Sequence, residues 1–181
     1  MKQMIPLFTL LALLSLNACA AAKHEHKKPS AEFVTKELSV TGAVETTLRL
    51  KVEDLKKFPM HEVNMEQLVC QSGEKVGNLG TIKGVWLKDI IEKAVVKTEE
   101  HNDVKKMVII ASASDGYKVV YSWTEVFNSP IGDGVIIFIE QNGKPLSDDE
   151  GKIAMVSTKD TRTGPRHVKW LKEIEIKKIV E

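Results

Sequence analysis

Arginine is nearly missing from this 181-residue chain, standing only at positions 49, 162 and 166. Lysine supplies the rest of the 26 basic residues, 25 acidic residues oppose them, and the formal net charge is +1. That balance leaves no basic face for a phosphate backbone, so no nucleic acid is expected as a partner. Cysteine occurs only at 19 and 70. A single internal thiol makes no disulfide framework, so Cys70 needs another reason: core filler, reactive group or metal ligand. No apolar run reaches the roughly 20 residues of a membrane-spanning helix. The longest, Met4 to Leu16, is broken by Pro6, Thr9 and Ser15. Neither an internal repeat nor a low-complexity segment is found.

That short run does have a use. Lys2, the apolar stretch and the small residues from Ala18 to Ala22 read together as a signal segment over residues 1–19. The expected location is therefore the bacterial periplasm. Two cleavage modes fit. Leu16-Asn17-Ala18-Cys19 resembles a lipoprotein box, in which Cys19 becomes the lipidated N-terminus, and Ala18-Cys19-Ala20 fits ordinary secretion. Membrane contact is expected only through that anchor. Loss of residues 1–18 removes Lys2 and brings the formal charge from +1 to 0. Residues 20–37, with Lys28, Pro29 and Ser30, read as a flexible tether. His24 and His26 on such a tail make a poor metal site. Residues 38–181 are long enough for one domain with a real core.

Within that domain the periodicity predicts many strands and few helices. Thr46 to Val52 alternates with Leu48, Leu50 and Val52 on one face. Val52 to Phe58 is a helical turn stopped at Pro59. Glu62 to Cys70 reads as extended, and the glycines from Gln71 to Gly80 as a loop. Trp86 to Val96 carries Leu87, Ile90, Ile91, Ala94 and Val95 at helical spacing. Further strands are expected at Met107 to Ala113, Tyr117 to Tyr121, Val135 to Glu140, Lys152 to Ser157 and Glu173 to Val180, with a short helix from Thr124. Asn142-Gly143 is the favoured two-residue hairpin pair. The class is α+β with a mixed β-sheet.

Val40-Thr41-Gly42-Ala43-Val44, Leu48-Arg49-Leu50, Asp54-Leu55, Phe58-Pro59 and Glu62-Val63, ending at Cys70, resemble in order the opening of the sulfite oxidase type of molybdopterin-binding domain. Gly84-Val85-Trp86-Leu87-Lys88-Asp89-Ile90-Ile91, Asp115-Gly116-Tyr117 and Asn142-Gly143-Lys144-Pro145-Leu146 continue the likeness. Gly164-Pro165-Arg166-His167-Val168-Lys169-Trp170-Leu171 is its most specific part. The resemblance implies a sulfite oxidase-like fold over residues 38–178 and a pterin or molybdopterin ligand. It implies that Cys70 is the thiolate ligand of molybdenum if the domain is an enzyme. The basic run would then face the pterin and its phosphate. Chemistry agrees: a soft thiolate suits such a metal, Arg166 can grip phosphate with two parallel donors, and His167 and Lys169 add to it. Asp115 is either a turn former or a further contact. His61 and His101 stay unassigned.

Three departures separate the chain from the catalytic members it resembles. Their Gly-x-Pro-x-Arg stretch is Gly151-Lys152-Ile153-Ala154-Met155 here, without Pro or Arg. Three arginines give little for a sulfite dianion. Met1 to Pro6 carries no twin arginine, the usual mark of export in the folded, cofactor-loaded state. The chain is similar instead to small periplasmic proteins of this fold that bind free pterins and signal to membrane-bound enzymes of cyclic-di-GMP metabolism. Two readings follow. One is a pterin-binding sensing module with a membrane-bound signalling partner. The other is a small molybdenum oxidoreductase with a redox partner.

Overall fold

The computed structural model describes residues 31–179. The signal segment, the lipoprotein box and residues 20–30 of the tether lie outside the described residues. In chain order the elements are β1 (Leu38–Gly42), β2 (Leu48–Leu50), α1 (Val52–Leu55), β3 (His61–Met65), β4 (Leu68–Val69), β5 (Lys75–Gly77), β6 (Gly80–Trp86), α2 (Leu87–Ala94), β7 (Met107–Ala113), β8 (Lys118–Ser122), α3 (Trp123–Phe127), β9 (Val135–Gln141), β10 (Lys144–Pro145), β11 (Ala154–Ser157) and β12 (Leu171–Lys178). One sheet has the order β2-β1-β12-β7-β8. It is mixed, because β1 runs parallel to β12 while the other pairs are antiparallel. The second runs β10-β9-β6-β3, with β11 also on β9, and is antiparallel throughout.

β9 explains how the two sheets share one body. Its sequence is a continuous apolar run, and successive side chains of a strand point to opposite faces. Val135, Ile137 and Ile139 enter the main core with Leu38, Val40, Ile109, Ala111 and Ile174. Ile136 and Phe138 enter a second, smaller core with Ile82, Leu146, Ala154 and Val156. The helix α2 lays Leu87, Ile90, Ile91 and Ala94 into the main core, one apolar stripe at helical spacing. At the start of α3 the Ser122 hydroxyl accepts from Glu125 N at 3.2 Å, and the Glu125 carboxylate accepts from Ser122 N at 2.8 Å. This reciprocal cap turns the chain out of β8.

Local differences from the expected elements have local causes. The predicted loop after Cys70 contains β5, which pairs with β4. All of β5 is exposed, so it carries no apolar alternation to betray it. Val52 leaves the predicted strand to start α1. Asn142 and Gly143 adopt φ of 51° and 72°, the left-handed pair that their hairpin requires. Ahead of β1 the chain already lies on the domain: Thr35 is buried, and the Phe33 ring is 6.1 Å from that of Trp170.

Ile137 has no exposed surface in the main core and faces β6 and β11 from the centre of its sheet. Ile137→Ala should lower unfolding free energy by about 2–5 kcal/mol, the range for a large-to-small core change. Urea denaturation reads this as a lower midpoint at unchanged slope.

Candidate functional site

Past β11 the chain crosses to β12 by way of Thr158 to Trp170, and this crossing carries the basic run. It is fastened to the segment before Cys70, since the Thr163 hydroxyl accepts from Val69 N at 3.0 Å. Gly164 follows, and a Cβ there would stand 2.9 Å from Val69 O and 3.3 Å from Cys70 Cα. Only glycine passes Cys70 this closely. Arg162 reaches the same loop: a Cβ on Gly73 would lie 2.9 Å from its guanidinium. Arg162 is exposed.

Arg166 turns inward. Its Nε donates to Asp160 at 2.5 Å, its Nη2 to the other Asp160 oxygen, and its Nη1 to Glu125 at 3.0 Å. Its Cζ lies 4.2 Å from the centre of the Tyr121 ring, a cation–π contact. Burial works against the charge, but the bonds and charge of Asp160, together with the bond to Glu125 and the Tyr121 contact, outweigh it and raise the guanidinium above its ordinary pKa. Arg166 is expected from sequence to grip a phosphate or a pterin edge. Its partners are instead two carboxylates of its own chain. The sequence shows a donor's identity and hides which acceptors the fold brings to it.

His167 and Lys169 meet on Glu150. The His167 ring bonds one carboxylate oxygen through Nε2, and Lys169 Nζ stands 3.1 Å from the other. The side chains of Glu150 and His167 are 8% and 5% exposed, that of Lys169 40%. Burial pushes the Glu150 carboxyl up, but His167 and then Lys169 outweigh it and hold it below the ordinary carboxylate range. Beside it Gly151 has φ of 83°, and a Cβ there would lie 2.5 Å from Trp170 Cδ1. Trp170 itself has φ of 49°, uncommon for a bulky residue. Its N donates to Glu150 O at 3.0 Å and its Nε1 to Asp148 O at 2.8 Å.

A cavity of about 190 Å³ opens here, lined by Asp115, Tyr117, Gly164, His167, Lys169 and Trp170. Asp115 makes its turn, accepting from Tyr117 N at 2.9 Å, and the Tyr117 hydroxyl donates to Pro165 O at 2.6 Å. Asp115, His167 and Lys169 therefore share one space, while Cys70, close to Gly164, does not line it and Arg166 faces its ion cluster. A larger hollow of about 520 Å³, lined in part by Leu48, Asp54 and Phe58, holds none of the expected residues. Chemistry, not volume, picks out the smaller one. Tyr117 and Trp170 line the site and Glu150 holds its His167 and Lys169; sequence reasoning does not mark these three as site residues. Tyr117 and Trp170 stand inside the quoted motifs and had that signal; Glu150 had none.

Cys70 is half-buried with its Sγ 2.8 Å from the Ser72 hydroxyl. That bond, helped by the backbone N–H groups of Ser72, Glu74 and Gly73, outweighs desolvation and holds the thiol below its ordinary pKa of 9.0. Backbone donors gathered around one sulfur favour thiolate.

Residues 25–180 match the oxidoreductase molybdopterin binding domain family. Among solved structures the chain is similar to the sulfane dehydrogenase SoxCD from Paracoccus pantotrophus, with 19% identity and a TM-score of 0.56, over 82% of this chain and 39% of that one. This likeness is one of fold, a strand-dominated molybdopterin oxidoreductase fold, and the chain spans well under half the length of that protein. No curated protein matches. The chain belongs to the oxidoreductase molybdopterin binding domain family.

The residues fit the two ends of a phosphorylated molybdenum pterin unequally. Cys70 suits the metal end, a polarised soft donor beside a glycine-containing loop. The phosphate end does not fit. Arg166 is taken up by Asp160 and Glu125, Lys169 by Glu150, and Met155, where the resemblance leads to the expectation of an arginine, is wholly buried in the main core.

Arg166→Ala should cost about 3–5 kcal/mol, because it strands the buried Asp160 carboxylate. Arg166→Lys should recover little of it, since an ammonium cannot make the paired bonds. Equal stability of the wild type and Arg166→Ala in thermal unfolding would show that the cluster holds nothing together. For Cys70, the rate of iodoacetamide alkylation against pH should rise at a lower pH than for a free thiol. Ser72→Ala should move that rise back up.

Proposed function

We propose that this member of the molybdopterin-binding oxidoreductase family is a pterin-binding sensing module of the bacterial envelope that signals to a membrane-bound partner. The carrying observation is the cavity that joins an Asp115 carboxylate, the His167 and Lys169 donors and the Trp170 ring in one small space. A pterin has a donor edge, its 2-amino group and N3–H, and an acceptor edge, its carbonyl oxygen and ring nitrogens. Asp115 matches the first and Lys169 the second. Trp170 offers a flat apolar face. At about 190 Å³ the cavity is smaller than the roughly 300–1,000 Å³ of sites for drug-sized ligands, which suits one fused bicycle held at the surface.

The same residues touch the N-terminal segment. The Ser114 hydroxyl donates to Phe33 O, Ser114 N donates to Trp170 O at 3.0 Å, and the Phe33 and Trp170 rings pack together. A ligand that shifts Trp170 or the Asp115 turn therefore changes the seat of Phe33, just ahead of the tether's end. A binding event read through differential contacts needs such a coupling. The leader reading of residues 1–19 supports a periplasmic place, with Cys19 as a lipid anchor or as part of a cleavage site.

A second reading, a molybdenum-dependent oxidoreductase, is favoured by Cys70, a soft donor at the position where the family resemblance puts the metal ligand, with its Sγ 2.8 Å from the Ser72 hydroxyl. A molybdenum cofactor, when bound, supplies oxygen-atom or electron transfer at a thiolate-ligated metal.

Titration of the purified mature chain with oxidised and reduced pterins should quench tryptophan fluorescence, and Lys169→Ala or Asp115→Asn should each weaken binding about tenfold, near 1.4 kcal/mol. No response to any pterin would overturn the reading. Cys70→Ser separates the two functions: a sensor keeps its pterin, whereas an enzyme made in a molybdate-fed host loses its metal.

A further inference from the structure

We infer that the cavity selects pterins without a phosphate group, and that Glu150 is the residue that sets this selectivity. The inference rests on the pterin reading above and goes further, to the charge class of the ligand.

Each cation of the basic run already has a carboxylate. One Arg166 guanidinium meets two, Asp160 and Glu125. Lys169 and His167 share Glu150. At the cavity itself Asp115 adds a further carboxylate, and among the described residues no cation pairs with it. With His167 neutral, Asp115, Glu150 and Lys169 sum to one net negative charge. With His167 protonated they sum to zero. A phosphate monoester carries about −1.5 to −2 at pH 7. It needs charged donors whose charge is not already compensated, and Lys169, the cation that lines the cavity, stands 3.1 Å from the Glu150 carboxylate. A phosphate-free pterin is neutral and needs only the hydrogen bonds the rim can make.

Glu150 is the decisive carboxylate because it cannot move out of the way. Its side chain is 8% exposed, two side chains hold its oxygens, and its backbone carbonyl accepts from Trp170. Asp160 and Glu125 compensate a guanidinium that does not line the cavity, so their removal frees nothing there. Removal of the Glu150 charge alone releases Lys169, which is 40% exposed and lines the cavity, to meet an anion. Arg162, exposed and close to Gly73 in the loop after Cys70, lies outside these pairs. It is the obvious rival, since it would catch a phosphate that reached that loop.

The test is calorimetric titration of the mature chain with 6-hydroxymethylpterin and with its phosphate monoester, at one ionic strength. The free alcohol should bind at least about tenfold more tightly, and Glu150→Gln should narrow that ratio to about threefold or less. Asp115→Asn, on the exposed rim, removes a like charge without touching the buried cluster and should narrow the ratio as well. That arm stands even if Glu150→Gln fails to fold. Equal or tighter binding of the phosphate ester by the wild type overturns the inference and leaves the pterin reading intact. If that preference disappears in Arg162→Ala, the rival guanidinium is the phosphate site. Binding of neither compound overturns the pterin reading itself.

Discussion

Glu150 lies almost wholly buried and holds His167 with one oxygen and Lys169 with the other. A charge in that position is tolerated only with partners, because an unpaired buried ion costs several kcal/mol. The same rule governs Arg166 between Asp160 and Glu125. Together the two clusters tie the crossing between β11 and β12 to α3 and to the segment before β11. Its path past Cys70 and around the cavity follows from where those carboxylates stand.

The fold supplies the frame for that crossing. β9 is buried on both faces, so the second sheet is fixed between two cores, and β11 hangs on β9 with Met155 and Val156 pointing to opposite sides. Met155 also bridges to Val168. This sets Arg166 and His167 at known places on either side of one short turn, one facing the Tyr121 ring and the other the Phe138 ring. At the same place Trp170 keeps a left-handed backbone, φ 49°, while Glu150, Asp148 and Ser114 all bind it. Residues held in sparse conformations by their surroundings cluster at ligand sites.

Much of this was legible in the sequence. β7 and β9 announced themselves as short apolar runs, α2 by apolar residues at helical spacing, and Asn142-Gly143 by its turn chemistry. The motif order pointed to the family, and Asp115, His167 and Lys169 do share a cavity. Other parts were not legible for physical reasons. β5 pairs through backbone alone, so no side-chain pattern marks it. Arg166 has the same identity whether it meets a phosphate or an aspartate; what decides is that Asp160, 6 positions back on the same crossing, and Glu125, 41 positions back in α3, meet it. Glu150 stood in no motif, and its meaning appears only when His167, 17 residues on, folds back to it.

The buried Met155, the engaged Arg166 and the compensated Lys169 share one consequence: among the described residues the fold of a molybdopterin-binding domain carries a basic run whose charge is already met by carboxylates. The most direct measurement is mass spectrometry with metal analysis of whatever copurifies with the mature protein from its native envelope fraction. The account predicts a metal-free pterin without phosphate. A molybdenum atom on a phosphorylated pterin dithiolene would contradict it and make Cys70 the metal ligand of an oxidoreductase.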